Sequence, residues 1–141
     1  MMIDQNIILN KTSKVHHHLN RIRGKREISL EDFLMDLDRK EIILFNLQMA
    51  VQNCIDIAAH IISDDELGMA GSTSEMFYIL QENAYLTFEL AEKMVAAVGF
   101  RNIAVHEYGN IDLKLVFQMA QKDLDDLEHF VKAILGKCGI T

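Results

Sequence analysis

Ile42-Ile43-Leu44-Phe45-Asn46-Leu47-Gln48-Met49-Ala50-Val51-Gln52-Asn53-Cys54-Ile55-Asp56-Ile57-Ala58-Ala59-His60-Ile61-Ile62 is the strongest helical signal in the chain. Its apolar residues cover far more than one narrow stripe. A helix apolar around most of its circumference is buried on several sides. In a small domain it is the central helix of a bundle, or a helix that also meets another subunit. Gln48, Gln52, Asn53, Asp56 and His60 interrupt the run, which argues against a membrane span. Cys54 reads as a small core residue.

The rest of the composition agrees with a helical fold. The chain has 141 residues, half of them hydrophobic, with no proline, no tryptophan and seven glycines. An all-β domain of this length leans on Gly and Pro for its turns. One domain spanning 1–141 is expected. A first amphipathic segment runs from about Asn10 to Arg23, stopped at Gly24. Ser29 with Asp32, and Asp38 with Glu41, resemble capping boxes that open a short helix and the long one. Ser63 to Ser74 reads as a loop and Glu75 to Asn83 as a short helix. Thr87 caps a helix running toward Tyr108, ended by Gly109 in the left-handed region. Asp112 caps a last helix with Leu113, Val116, Phe117, Ala120, Leu124, Leu127, Val131 and Ile134 on its apolar face. The expectation is an all-α bundle of four main helices and two short ones.

The net charge of −7 makes the whole chain a poor generic binder of polyanions. The charge is uneven, however. Residues 11–26 hold six bases (Lys11, Lys14, Arg21, Arg23, Lys25 and Arg26) and no acid, whereas 27–141 is net −12. The segment is either a solvated basic face on an acidic body or a landing strip for nucleic acid or an acidic partner. Two isolated cysteines form neither a disulfide framework nor a zinc site. The first residues lack the basic and apolar regions of a signal peptide, so a soluble, cytoplasmic chain without a membrane role is expected.

Metal-binding, P-loop, dinucleotide and nucleophile-elbow motifs are absent from the sequence. Asp126-Leu127-Glu128-His129 has helical spacing but no second half, and no metal or cofactor is expected. His16, His17 and His18 point in three directions on a helix and read as a basic solvated face.

Arg101, Asn102, His106 and Tyr108 crowd one helix end. Asn102 and His106 share a face at i, i+4. Arg101 and Tyr108 share another at i, i+7. Arg101 and His106 are five apart, about 140° on an ideal helix. They meet only if the helix bends or if two copies contribute across a two-fold axis. An Arg and a His at one point suit phosphodiester cleavage: His moves protons near neutral pH, and Arg offsets charge in the transition state. They can equally cap, pair and pack. Asp56 and His60, i, i+4 on the long helix, are either a buried polar pair or a support in which Asp56 positions or tunes Arg101 or His106.

The run Arg101-Asn102-x-x-x-His106-x-Tyr108 resembles the RNxxxHxY signature of HEPN-domain proteins, and more narrowly the HepT toxin group. Phe45–Ile62 resembles that group's second-helix pattern, and Gly99–Asp112 its motif region. The resemblance covers about residues 30–135. It implies an antiparallel helical bundle that forms a two-fold dimer, with the motifs of both protomers lining one cleft. It implies a metal-independent ribonuclease in which His106 is general acid/base, Arg101 stabilises the transition state and Asn102 orients the pocket. The implied partners are RNA and an MntA-like nucleotidyltransferase antitoxin that transfers AMP to Tyr108. The alternative is a non-catalytic binding or regulatory subunit of a nucleotidyltransferase.

Overall fold

The computed structural model describes residues 3–106 and 108–140; at Tyr108 it describes the backbone alone. The described residues form helices and turns, with no strand among them. Helices α1 (Gln5–Arg23), α3 (Leu37–Asp64) and α5 (Phe88–His106) are three of four long rods. The fourth is composite: α6 (Leu113–Gln118), a π-helical turn (Met119–Asp123) and α7 (Leu124–Lys137). Two short helices, α2 (Leu30–Met35) and α4 (Thr73–Glu82), complete the bundle. The expected four long and two short helices are present.

Side-chain cross-links fix the directions. Asp4 near the start of α1 bonds Asp64 at the end of α3, Lys11 meets Asp56, His18 meets Asn46, and Arg39 donates to the carbonyl of Lys25. Rising numbers on α1 meet falling numbers on α3, so the two are antiparallel. The same holds for α3 and α5, where Tyr85 meets Asp65 and Arg101 meets Gln52.

Most caps follow from local chemistry. Ser29 accepts from the Asp32 amide at 3.1 Å, Thr87 from Leu90 at 3.1 Å, and Asp112 from Lys114 and Leu115. Several boundaries differ from the sequence reading, among them α4, which begins at Thr73 behind a Ser72 cap and not at Glu75. Helix α1 begins at Gln5 because Asp4 accepts from the amides of Asn6 and Ile7. Helix α3 is capped by Asp36, which accepts from the Arg39 amide, and not by Asp38. Helix α5 stops at His106, and a 3₁₀ turn at Tyr108–Asn110 follows. Gly109 does not have a positive φ; among the described glycines only Gly68 and Gly139 do.

The core is continuous. Phe33, Phe77, Phe130, Leu47, Ile57, Ile61 and Met94 are fully buried. Each such side chain stabilises the fold by about 1.5–3 kcal/mol relative to exposure. The rings of Phe77 and Phe130 join α4 to α7 at 5.6 Å, and Phe33 meets Phe117 at 5.4 Å. Cys54 is fully buried. Helix α3 is long and apolar enough to cross a membrane, yet 61% of its most apolar window is buried inside the protein. Its apolar breadth is therefore largely used within one chain. Phe45 and Leu37 are its large apolar side chains left exposed.

Candidate functional site

The site is built where α3 and α5 cross. Arg101, half-buried on α5, donates from one terminal nitrogen to Gln52 Oε1 at 2.5 Å and from the other to Asn102 Oδ1 at 2.8 Å. Gln52 Nε2 donates to Asp56 Oδ1 at 2.9 Å. The other Asp56 oxygen pairs with Lys11 Nζ of α1 at 3.2 Å. A relay of hydrogen bonds thus runs from α1 through α3 to the motif arginine. Arg101 Nε is buried without a partner among the described residues. A guanidinium held at both terminal nitrogens has little freedom left, which is how a pre-formed cation site is made.

Asp56 therefore reaches the motif, but through Gln52 and not by direct contact. It does not bond His60 among the described hydrogen bonds, because Gln52 and Lys11 hold its two oxygens. His60 is half-buried one turn further along. Gln52 escaped the sequence reading. The available signal was its position: Gln52, Asp56 and His60 recur every four residues on a helix that is otherwise apolar.

His106 is exposed at the last position of α5, and Asn102 is exposed one turn before it. Within the chain the structure joins Arg101 to Asn102 and leaves His106 outside the relay. The expected shared face of Arg101 and Tyr108 falls on a side chain outside the described residues; helix α5 ends at His106, before Tyr108. Gly109 and Leu44 line one small hollow.

The chain's other two tyrosines are engaged. Tyr78 Oη donates to Glu92 at 2.7 Å and Tyr85 Oη to Asp65 at 2.9 Å. The hydrogen bond to Glu92 pushes the Tyr78 hydroxyl pKa up; burial, then Asp65, does the same for Tyr85.

The three histidines are not one solvated face. His18 Nδ1 bonds Asn46 Oδ1 at 2.8 Å and its ring stands edge-on to Phe45. Asp126 and Glu128 are paired with Lys93 and Arg23. No group of three His, Cys, Asp or Glu among the described residues is placed to hold a metal ion. A larger hollow of about 400 Å³ lies apart from the motif, between α3, α5 and the π-helical turn, over Leu47, Val51, Phe100 and Leu127. At its rim, burial and then the neighbouring Asp126 push the Asp123 carboxyl pKa up.

Known proteins resemble this chain in sequence and in fold. The chain is 34% identical over 128 residues to the mRNA nuclease HepT of Shewanella oneidensis, covering 91% of this chain and 96% of that protein. It is 32% identical over 132 residues to the tRNA nuclease HepT of Aphanizomenon flos-aquae, covering 94% and 90%. The solved structure of the tri-AMPylated Shewanella oneidensis HEPN toxin in complex with MNT antitoxin superposes with a TM-score of 0.85 at 33% identity, covering 92% of this chain and 97% of that one. The sequence pattern described as Ribonuclease HepT-like matches residues 15–134. The chain belongs to the ribonuclease HepT-like family.

Proposed function

We propose that this chain is a metal-independent endoribonuclease, the toxin of a toxin–antitoxin pair, and that a nucleotidyltransferase antitoxin silences it by transferring AMP to Tyr108. The observation that carries the reading is the pre-set guanidinium of Arg101, fixed by Gln52 and Asn102 on the helix that ends in the exposed His106. The relatives named as mRNA and tRNA nucleases support it.

The chemistry uses side chains alone. A His106 imidazole takes the proton of a ribose 2′-hydroxyl, whose oxygen attacks the adjacent phosphorus. The bond from phosphorus to the 5′-oxygen breaks, and that oxygen leaves with a proton from an imidazolium. Arg101 offsets the charge that builds on the non-bridging oxygens. Asn102 holds the guanidinium in place. Asp56, through Gln52, is a positioning residue. Arg101 is tied toward α3 and His106 ends α5, so a two-fold dimer completes the cleft by bringing the motif of a second copy opposite the first.

Tyr108 is the favoured acceptor for AMP because Tyr78 and Tyr85 already donate to carboxylates. A phosphate added there would sit against a negative charge. The AMPylated relative in complex with an MNT antitoxin supports this mode of control.

The test is cleavage of RNA by purified protein. Arg101→Ala and His106→Ala each lower the rate by about 10²–10⁴-fold with helix content unchanged. Wild-type cleavage survives EDTA and leaves 2′,3′-cyclic phosphate and 5′-hydroxyl ends. Full activity in either variant, or a divalent-ion requirement, refutes the reading.

A further inference from the structure

The six bases of 11–26 divide into two groups. Lys11 pairs with Asp56, Arg23 pairs with Glu128 at 2.9 Å, and Arg26 donates to the carbonyl of Ala120. These three fasten α1 to its neighbours. Lys14, Arg21 and Lys25 have no carboxylate within ion-pair distance among the described residues. Lys14, the exposed His17 and Arg21 recur at steps of three and four along α1, and Lys25 lies in the turn just beyond its end. That spacing puts one basic group per turn on one side of the helix, about 5–6 Å apart. The ridge carries no acid in a chain of net charge −7. A hollow of about 370 Å³ opens at its end, lined by His17, Asn20, Arg21, Gly24 and Lys25.

An aromatic patch borders the ridge. The His17 and His18 rings meet edge-on at 5.1 Å, and His18 meets Phe45 at 6.2 Å. Asn46 fixes the His18 ring, while Phe45 is 56% exposed. Phe45 lies seven residues, about two turns, before Gln52, the α3 partner of Arg101. Regularly spaced cations beside an exposed aromatic ring are the physical elements of single-strand nucleic-acid binding: charge follows the backbone and a ring stacks a base.

We propose that the Lys14–His17–Arg21–Lys25 ridge holds the backbone of single-stranded RNA flanking the cleaved bond, with an unpaired base stacked on Phe45. The proposal rests on the ribonuclease reading. Turn-by-turn cations match successive phosphates of an extended strand, and the net negative body confines RNA to this strip.

The experiment measures binding of a fluorescent, unstructured 12-nucleotide RNA by anisotropy, in the His106→Ala background so that the RNA stays intact. Replacing Lys14, Arg21 and Lys25 together by Ala is expected to weaken binding at least tenfold and to lower the salt slope of log K by about 2, for three lost phosphate contacts on a single strand. Phe45→Ala weakens binding by about tenfold. A control removing the same number of charges elsewhere, at Lys122, Lys132 and Lys137, stays within about twofold of the parent. Equal loss in both triple variants, or no loss in the ridge variant, overturns the proposal. So does a ridge variant that keeps RNA affinity but no longer binds the nucleotidyltransferase, since the ridge would then be a protein-docking surface. Wild-type protein that cleaves no RNA would instead defeat the ribonuclease reading.

Discussion

Gln52 accepts a hydrogen bond from the Arg101 guanidinium at 2.5 Å while its own amide donates to Asp56 at 2.9 Å. One neutral side chain on α3 thereby sets the orientation of the motif arginine on α5. Hydrogen bonds to charged groups contribute about 1.5–3 kcal/mol. At about 1.4 kcal/mol per tenfold, that is a factor of roughly ten to a hundred in rate if the bond matters only when Arg101 meets the transition state.

Gln52→Leu is expected to lower kcat for RNA cleavage by about 10–100-fold with little change in KM, because Arg101 keeps its charge but loses its aim. Gln52→Glu restores an acceptor to Arg101 and loses the donor to Asp56, so it recovers part of the rate. Steady-state kinetics on a short RNA decide. A change confined to KM, or a loss of thermal stability that parallels the loss of rate, would make Gln52 a packing residue only. The Lys11–Asp56 pair is partly exposed, with side chains 24% and 34% accessible. Breaking it with Lys11→Met costs less than about 1 kcal/mol.

The motif and the bundle were legible in the sequence for different reasons. Helix α3 announces itself by apolar breadth, and Ser29, Thr87 and Asp112 by cap chemistry, which is local. Arg101 and His106 stood out because polar groups crowd a helix end. What escaped depends on partners far along the chain. Gln52 carries no charge and is one of several polar residues in the α3 run, and its partner lies 49 positions away. Asp36 and Asp38 are two residues apart and equally suited to cap, so only the path from α2 decides between them. The π-helical turn inside the last rod leaves the spacing of three and four almost undisturbed, and it was invisible for that reason. The basic segment read as one strip of charge; its division into fastening and free cations needs the acids of α3 and α7.

Cys54 and Cys138 give a reading of α3 dynamics. Cys54 is fully buried, and burial with the charge of Asp56 pushes its thiol pKa far up. Cys138 is half-buried, with its thiol raised by burial and then by Asp65. The thiolate is the reactive form. At pH 8 a maleimide is expected to modify Cys138 slowly and Cys54 only on unfolding, giving one adduct by mass in native buffer and two in denaturant. Rapid double labelling in native buffer would show that α3 opens locally.

Assembly is the next test. Ile103 and Val105 are 41% and 42% exposed on the same stretch of α5 as Asn102 and His106. Apolar groups left outside the core beside the motif suit a two-fold contact that faces one motif with its copy. Sedimentation at micromolar concentration is expected to give a dimer, burying more than about 1,200 Å² in total. Ile103→Glu puts a charge at the contact and is expected to yield monomer with lost cleavage. A wild-type monomer that cleaves at full rate would remove the second copy from the site.

The proposed control acts at Tyr108. Of three tyrosines in the chain, Tyr78 and Tyr85 hold carboxylates through their hydroxyls, and Tyr85 is buried. The hydrogen bond to Glu92 raises the Tyr78 pKa, and burial, then Asp65, raises that of Tyr85, which disfavours the phenolate a transfer to phosphorus needs. Tyr108 follows the end of α5 directly, two residues after His106. Each AMP attached there adds about one negative charge and a bulky nucleoside. RNA, itself an anion, is then excluded by repulsion and by volume. Co-expression with the nucleotidyltransferase is expected to raise the mass of the chain in steps of one AMP, with the adduct on the peptide containing Tyr108. Tyr108→Phe is expected to resist modification and, where it keeps its own cleavage activity, to remain toxic in the presence of the antitoxin. Adducts on Tyr78 or Tyr85 with Tyr108 unmodified would refute the assignment. Full inhibition of Tyr108→Phe without any mass change would show that the antitoxin acts by binding alone.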